Sequence, residues 1–405
     1  MAIFPKPFTN IENERYLNLI IILIPLMNFL SGISIDLYAP SMPAIAVYFN
    51  TSALAVKNTI TALILGFGLG SVIFGVLFDA IGRREVILSS LALFIITSLV
   101  APFCHSITQL LIVRFMQGLA VSVVSIGSRT LVVDHFSGHR YLVAMLYTSL
   151  AYGSGPVIGP FIGGYLQYHF GWQANFYAYA FFALAIFIMF LVYIHESLPQ
   201  TKRVPIIHAI GSYKTIVSNP LFIICATVNG AVWVEQLLYP LVGPFLVQTQ
   251  LGYSPITYGN SALLAGLSYV LGTLSNRLLL KSMTAKQSVA LGLALSLLAL
   301  VIQLVFALTI GLNLWTLVLP VVIMGFSTGF IFPNILSLCM RIFPHNAGVA
   351  AAAQTCLLML ATAIGTTVIS VINIHRLIDL FWLYLILIVL QCIAFTTYLK
   401  NRFAV

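Results

Sequence analysis

The chain has 405 residues, of which 60% are hydrophobic and only 7% are charged. Soluble domains carry about 25% charged residues, so this composition excludes a soluble globular protein and predicts a polytopic membrane protein. The net charge of +9 does not indicate nucleic-acid binding, because the basic residues are spread through short loops instead of being gathered on one face.

Apolar runs predict twelve membrane spans and therefore an all-α polytopic fold. A helix needs roughly 20 residues to cross the hydrocarbon core of a bilayer. The first run is not a cleaved signal peptide, because it continues past Asp36 into Tyr38 and Pro40. The predicted spans are about 16–38, 54–78, 85–105, 108–133, 141–167, 172–194, 219–247, 258–280, 287–309, 315–341, 347–373 and 377–398.

The distribution of basic residues predicts the orientation of these spans. Positive charge resists translocation across the membrane. If the N-terminus is cytoplasmic, 14 of the 18 Lys and Arg residues lie on the inner side. Both termini are therefore expected in the cytoplasm. The inner residues are Lys6, Arg15, Arg83, Arg84, Arg140, Lys202, Arg203, Lys214, Arg277, Lys281, Lys286, Arg341, Lys400 and Arg402.

The longest polar connection divides the chain into two halves. We expect an N-terminal six-helix half over 1–195, a cytoplasmic linker over 196–218 and a C-terminal six-helix half over 219–405. Weak similarity between the two halves supports a duplicated six-helix unit. The pattern that ends at Asp79 recurs with its end at Asn276, and Pro40 has a counterpart in Pro240. Parallel repeats of this kind are typical of transporters built from two halves about a central axis.

Two acids in the predicted spans are candidates for proton binding. Asp36 closes the first span, where a carboxylate costs about 2.5–3.5 kcal/mol and is usually retained to bind a proton, an ion or a cationic substrate. Glu235 in the seventh span lies next to Gln236, which corresponds to Asp36 in the duplication. We expect Asp36 and Glu235 to face one cavity; the alternative for Glu235 is a wetted position near the outer surface.

Arg114 lies within the fourth span and is always charged. It therefore needs a carboxylate, backbone carbonyls or water nearby, and Asp36 is a possible electrostatic partner. The alternative is a structural arginine that bonds to backbone carbonyls of the first span.

The connection after the second span has the pattern Gly-x-x-x-Asp-x-x-Gly-Arg-Arg. We expect Gly75 to permit close helix contact, Gly82 to permit a tight reversal, and Asp79 to pair with an arginine or a helix N-terminus. Asp134 has two possible partners. It either pairs with Arg129 on its own helix, or reaches Arg83 or Arg84 and forms a cytoplasmic latch that holds an outward-open state.

The fifth span is rich in glycine and proline. Glycine lets helices approach closely, and proline removes an intrahelical hydrogen bond. We expect a bent, closely packed helix at the contact between the halves, which seals or pivots as they rock. Its residues are Gly155, Pro156, Gly159, Pro160, Gly163 and Gly164.

These segments together resemble the major facilitator superfamily. The pattern from Gly75 to Arg84 resembles its signature loop, and residues 114–118 resemble its Arg-x-x-Gln-Gly motif. Residues 153–164 resemble the Gly-Pro motif of its antiporters. Residues 36–43 resemble the first-helix motif of twelve-helix drug:proton antiporters of the bicyclomycin-resistance type. The resemblance implies that Arg114 faces a central cavity and couples protons to transport.

Several other side chains are candidates for the substrate cavity because aromatic rings suit flat or cationic ligands. Asn334 and Gln354 either line the cavity or bond between helices. The sequence contains no phosphate-binding Gly-rich loop and no metal-ligand spacing, so we expect no enzyme, metal or cofactor. The candidates are Tyr38, Trp233, Tyr239, Asn334 and Gln354.

The sequence thus predicts a monomeric secondary transporter in the inner membrane of a bacterium. It would export small amphipathic or cationic compounds in exchange for protons by alternating access, with Asp36 carrying the proton and Arg114 tuning it. The partners would be the substrate, protons and lipid. Two alternatives stay open: a dedicated exporter of a specific metabolite or siderophore, and a membrane receptor that does not transport.

Overall fold

The computed structural model describes residues 14–198, 216–343 and 347–400, apart from the side chains of 72, 76, 79, 80, 347–349 and 352. Within these ranges, twelve helices are long and apolar enough to cross a membrane. The prediction of an all-α protein with twelve spans is confirmed. Most of the predicted linker 196–218 lies outside the described residues.

The twelve long helices follow the predicted spans closely. They are α1 (Glu14–Asp36), α2 (Ala53–Ile81), α3 (Arg83–Val100), α4 (Ile107–His135), α5 (Gly138–Phe170), α6 (Gln173–Tyr193), α7 (Pro220–Pro244), α8 (Pro255–Leu279), α9 (Ala285–Thr309), α10 (Leu314–Met340), α11 (Ala347–Val371) and α12 (Leu377–Lys400). Shorter elements extend three of them: a 3₁₀ turn Ala39–Ser41 with a helix Met42–Tyr48, a 3₁₀ turn Ala101–Phe103, and a π-helical turn Phe245–Gln250.

Polar side chains mark where several of these helices begin. Ser106, Asn219 and Ser254 each accept a hydrogen bond from the backbone N–H three residues later, at the starts of α4, α7 and α8. Thr284 and Asn313 form reciprocal capping boxes at α9 and α10. Such caps satisfy N–H groups that have no partner within the helix.

The described residues fall into two compact units. One contains the described parts of Met1–Tyr38 and Ala62–Gly211, and the other those of Ala39–Thr61 and Ser212–Val405. In the first, α1 packs along α5 and α4, and α3 packs on α4 and α6. In the second, α7 packs on α11 and α12, and α9 packs on α10 and α12. The pairs α1–α5 and α3–α4 of the first unit are thus matched by α7–α11 and α9–α10 of the second.

The second unit includes the segment 39–61, which follows α1 in the sequence. Gln248 donates a hydrogen bond to the carbonyl of Pro40 at 2.9 Å, and Thr61 donates to the hydroxyl of Thr366 at 3.0 Å. The ammonium group of Lys57 stands 5.8 Å from the centre of the Phe245 ring. These contacts join the end of the first span and the start of the second to the π-helical turn after α7 and to α11.

Candidate functional site

Asp36 is the last residue of α1 and is 3% exposed. Among the residues that the structure describes, none forms a hydrogen bond or an ion pair with its carboxyl group. A buried carboxylate without partners is costly, so burial favours the neutral, protonated form. The surroundings of Asp36 therefore suit a group that binds and releases a proton.

The glycines of α5 form the wall against which this end of α1 packs. A Cβ atom on Gly155 would collide with the backbone of Gly32, and one on Gly163 would collide with the carbonyl oxygen of Leu37. On Gly159 a Cβ atom would lie 3.1 Å from the nitrogen of Leu37. We call the face bearing Gly155, Gly159 and Gly163 the glycine seam. Pro156, Pro160 and Gly164 also lie in α5.

The glycine seam packs on α1 of its own unit. The expectation that this helix lies at the contact between the two halves stays a prediction. The role of the glycine seam is to bring two backbones close together at the turn that carries Asp36.

Arg114 is fully buried and does not form an ion pair with Asp36. It donates to the side-chain oxygen of Gln117 at 3.1 Å and to the carbonyl of Ser34 at 3.2 Å. Its guanidinium lies 4.5 Å from the centre of the Tyr38 ring. The partner of Arg114 is thus a backbone carbonyl in the last turn of α1, which was the alternative to Asp36 in the sequence analysis. The C-terminus of a helix attracts cations, so this position suits an arginine.

Tyr38 lies in the interior of the first unit. It is 0% exposed, and its ring meets the ring of Phe176 edge to face with centroids 5.7 Å apart. Tyr179 donates to the carbonyls of Ile33 and Ser34 at 3.2 and 3.0 Å. The Tyr38 ring is thus buried against Arg114 in this structure, and its expected place in a substrate cavity stays a prediction.

Glu235 is the buried acid of the second unit and is 2% exposed. Its Oε2 atom accepts a hydrogen bond from the amide of Gln391 in α12 at 2.6 Å. Its Oε1 atom is buried without a partner among the described residues. The side chain is therefore not wetted at the surface, and the described part of the chain supplies no cation to balance a charge on it.

The predicted cavity residues of the second unit divide into two kinds. Trp233 is half-buried, and its ring lies 5.5 Å from that of Phe332. Tyr239 bonds the hydroxyl of Ser261 at 2.5 Å, and Asn334 donates to Asn276 at 3.0 Å. Tyr239 and Asn334 are therefore held between helices, and Trp233 is the more accessible candidate.

Gln354 is buried, and its side-chain oxygen accepts a weak hydrogen bond from the thiol of Cys339 at 3.3 Å. Its amide nitrogen has no partner among the described atoms. An unsatisfied buried amide suits either a bound ligand or an ordered water.

The connection between α2 and α3 forms a polar cluster at the predicted cytoplasmic side. Gly82 has a φ of 127°, a backbone conformation that glycine adopts without steric cost. Arg83 pairs with Asp134 at 3.3 Å, and the hydroxyl of Ser197 donates to the same carboxylate oxygen at 2.6 Å. Asp134 thus forms the second of its two possible pairs, and Arg129 takes no part in it.

Two other expectations for this connection have different outcomes. A Cβ atom on Gly75 would meet no described atom within 4 Å, so close helix contact does not explain this glycine. The side chain of Asp79 lies outside the described residues. Arg84 donates to the carbonyls of Ile194 and Leu191 at 2.7 and 3.0 Å, so it binds the end of α6.

Sequence reasoning missed Glu196, which caps α3 from a distance of more than a hundred residues. Its carboxylate accepts hydrogen bonds from the backbone N–H groups of Arg83 and Arg84 at 2.9 and 3.0 Å. An anion at a helix N-terminus is stabilising. The first turn of α3 contains an acid of its own, Glu85, so nothing in the sequence pointed to Glu196, which follows α6.

A second polar group that sequence reasoning missed joins three helices of the first unit. Asn28 in α1 donates to the carbonyl of Thr148 in α5 at 2.7 Å. The hydroxyls of Ser128 and Ser125 in α4 reach its side-chain oxygen at 3.2 and 3.5 Å. These bonds fix α4 and α5 against α1 below the turn that carries Asp36.

Comparisons with known proteins agree on one fold and one family. The family model of the Major Facilitator Superfamily matches residues 25–366. The chain is 28% identical to an uncharacterised MFS-type transporter, YdgK, of Bacillus subtilis, over 87% of this chain and 88% of the relative. It is 26% identical to multidrug resistance protein D of Escherichia coli, over 84% of this chain and 85% of the relative.

A solved structure has the same fold at low sequence identity. The crystal structure of a D-xylose–proton symporter superposes with a TM-score of 0.75 at 15% identity, and the match covers 94% of this chain and 97% of the symporter.

Proposed function

Because this chain belongs to the major facilitator superfamily, we propose that it exports small amphipathic or cationic compounds in exchange for protons. Its family and fold are those of membrane transporters and not of enzymes. The relative in Escherichia coli is named for multidrug resistance, which supports export of several compounds.

The single observation that carries the proposal is the environment of Asp36. Its carboxyl group is buried, has no polar partner among the described residues, and lies where the glycine seam holds α1 and α5 in close contact. Burial favours the neutral acid, so Asp36 would take a proton from outside. Opening to the cytoplasm would wet the group, favour the carboxylate and release the proton inside.

Arg114 contributes through the end of α1. Its hydrogen bond to the carbonyl of Ser34 places a fixed positive charge two residues from Asp36 in the sequence. A nearby positive charge favours the ionised carboxylate and so opposes the effect of burial. In this proposal Arg114 keeps Asp36 able to lose its proton, and it does so without a direct ion pair.

Glu235 is proposed as a second proton-coupling group. It is buried with one carboxyl oxygen on Gln391 and the other without a partner among the described atoms. Trp233, Tyr239, Asn334 and Gln354 are proposed to lie at or behind the substrate surface of the same half. The protein is proposed to act as a monomer in the bacterial inner membrane with both termini in the cytoplasm.

The test is transport by the purified protein in lipid vesicles. A vesicle interior made more acidic than the medium should drive accumulation of a cationic dye such as ethidium, and a protonophore should abolish it. Uptake of only one compound from a broad panel would favour the dedicated metabolite or siderophore exporter. Absence of gradient-driven flux for every compound would favour the receptor and contradict the proposal.

A further inference from the structure

Asn229 of α7 is a buried amide that the proton-coupling groups do not use. It is 0% exposed, and neither the oxygen nor the nitrogen of its side chain has a hydrogen-bond partner among the residues that the structure describes. The indole N–H of Trp233, one turn further along α7, is also buried without a partner among them. Buried polar groups nearly always have partners, so this turn of α7 has one acceptor and two donors to offer.

The accessible surface of this part of α7 forms a single stripe. From Asn229 to the end of the helix at Pro244, the half-buried residues are Trp233, Gln236 and Pro240, and the others are buried. Those three residues share one face, because they are three, four and seven positions apart. Asn229 precedes Trp233 by four positions and Gln236 by seven, so it continues the same stripe. The other faces of α7 pack on neighbouring helices, mainly α10, α11 and α12.

The indole of Trp233 explains why Asn229 is buried although it continues an accessible stripe. A long side chain on a helix points back toward the N-terminus and covers the turn before its own Cα atom. Asn229 lies in that turn, so the Trp233 ring covers it. Because Trp233 is half-buried and its N–H bonds to no described residue, a change of its rotamer would uncover the Asn229 amide.

Residues of α10 border this stripe and add a second aromatic ring. The ring of Phe332 lies 5.5 Å from that of Trp233 at 37° and is itself half-buried. Gln236 donates to the hydroxyl of Thr328, one turn before Phe332, at 2.7 Å. Two accessible rings therefore lie beside an unsatisfied amide. Apolar walls with a few convergent polar groups are typical of small-molecule sites.

The charged residues of the second unit lie away from this stripe. Glu235 points to another face of α7, because it bonds Gln391 of α12. The other charged residues that the structure describes in this unit, together with His375, lie within five residues of a helix end: Lys57, Arg277, Lys281, Lys286, Arg341, Arg376, Asp379 and Lys400. Recognition at Asn229 and Trp233 would therefore depend on hydrogen bonds and ring contacts between uncharged groups.

We infer that Asn229 and Trp233 form a subsite for an uncharged aromatic group that carries both a hydrogen-bond acceptor and a donor, such as an aromatic amide. The ligand's carbonyl would accept from the indole N–H and the Asn229 amide, and its N–H would donate to the Asn229 oxygen. This inference narrows the substrate class of the export proposed above and rests on that proposal. It also adds Asn229 as a residue that determines specificity.

The test compares 1-naphthamide with 1-acetylnaphthalene, which has the same carbonyl and nearly the same shape but a methyl group in place of the amide nitrogen. Calorimetry measures the binding of both probes to the purified full chain in vesicles, with empty vesicles as the blank. Asn229→Leu removes the amide at similar volume, and Trp233→Phe keeps a ring and removes the N–H. Gln303→Leu is the matched control, because Gln303 of α9 is also 0% exposed with both amide atoms unpaired among the described residues.

We expect the wild type to bind the amide about two- to tenfold more tightly than the ketone, which is the effect of one hydrogen bond between uncharged groups. Asn229→Leu should remove this preference. Trp233→Phe should weaken the binding of both probes by a similar factor, because both offer a carbonyl to the indole N–H. Gln303→Leu should keep the preference, although it removes an equally buried amide.

Equal affinity of the wild type for the two probes would overturn the inference, and so would a preference for the amide that survives in Asn229→Leu. Loss of the preference in Gln303→Leu would also contradict it, because the effect would then be general to buried amides. If Asn229→Leu does not fold, unchanged affinities in Trp233→Phe would overturn the inference instead. These measurements need no gradient, so the flux of ethidium in a pH gradient tests the export proposal separately.

Discussion

Gly159 of α5 packs against Asp36 of α1 so closely that a Cβ atom on the glycine would lie 3.4 Å from the Cβ atom of the aspartate. The glycine-proline motif and the candidate proton carrier therefore belong to one structural feature, although more than a hundred residues separate them. Any movement of α1 against α5 would change the space around the Asp36 carboxyl group.

The first prediction concerns the glycine seam. Gly163→Ala should lower the free energy of unfolding by about 1–3 kcal/mol, because the added methyl group collides with backbone and cannot be accommodated by a rotamer change. Gly153→Ala is the matched control, since a Cβ atom there would meet nothing within 4 Å. Thermal unfolding of both variants in detergent checks this. Equal stability of the two would show that the seam is not closely packed.

The second prediction concerns the Arg83–Asp134 pair. Asp134→Ala should shift the conformational equilibrium toward the inward-open state and lower stability by about 3–5 kcal/mol, because it leaves a buried arginine without its carboxylate. Labelling of a cysteine introduced into the cavity measures the shift, after Cys356 and Cys392, the two half-buried native cysteines, have been replaced.

The control for that prediction is Glu85→Gln. Glu85 also pairs with an arginine, Arg84, at 3.5 Å, but its side chain is 70% exposed. Exposed pairs contribute about 0–1 kcal/mol, so this variant should label like the wild type. Unchanged labelling in Asp134→Ala would contradict the latch.

The third prediction concerns Glu235. Glu235→Gln should retain the fold and change the pH dependence of transport, because glutamine fills the same space and cannot bind the proton. Export rates measured from pH 6 to pH 8 check this for wild type and variant. An identical pH profile in Glu235→Gln would remove Glu235 from proton coupling.

A positioning role for Gln391 follows from the same bond. Gln391→Leu should leave the Glu235 carboxyl group without its donor at 2.6 Å. The hydrogen bond that the Gln391 amide donates favours the ionised form of the Glu235 carboxyl group. Without this bond Glu235 should bind its proton more tightly, and the pH profile of transport should move to higher pH. A shift to lower pH, or none, would contradict that role.

The spans could be predicted from the sequence because hydrophobic length determines them almost alone. The reversal at Gly82 was also predictable, since its positive φ requires a residue with little steric restriction. The partners of charged groups could be predicted only as sets of alternatives. Arg114 binds a carbonyl of Ser34 rather than Asp36, and Tyr38 stacks on Arg114. The sequence cannot show which backbone carbonyl binds a side chain, because every residue has one.

Contacts between distant segments limited the prediction in the same way. Glu196 caps α3 from the end of α6, and Gln391 meets Glu235 from α12. Their residue types suggested polar contacts, but helix packing alone determines which groups meet. For the glycine seam, the composition predicted close packing, but only the structure shows that the helix it contacts is α1.

The most direct test of the central claim is Asp36→Asn in vesicles with an imposed pH gradient. Asparagine has nearly the same shape and cannot release a proton, so thermal unfolding should match the wild type while gradient-driven accumulation of ethidium falls to the level of empty vesicles. Accumulation that persists in Asp36→Asn and is still abolished by a protonophore would show that another group carries the proton, and would contradict the assignment of Asp36.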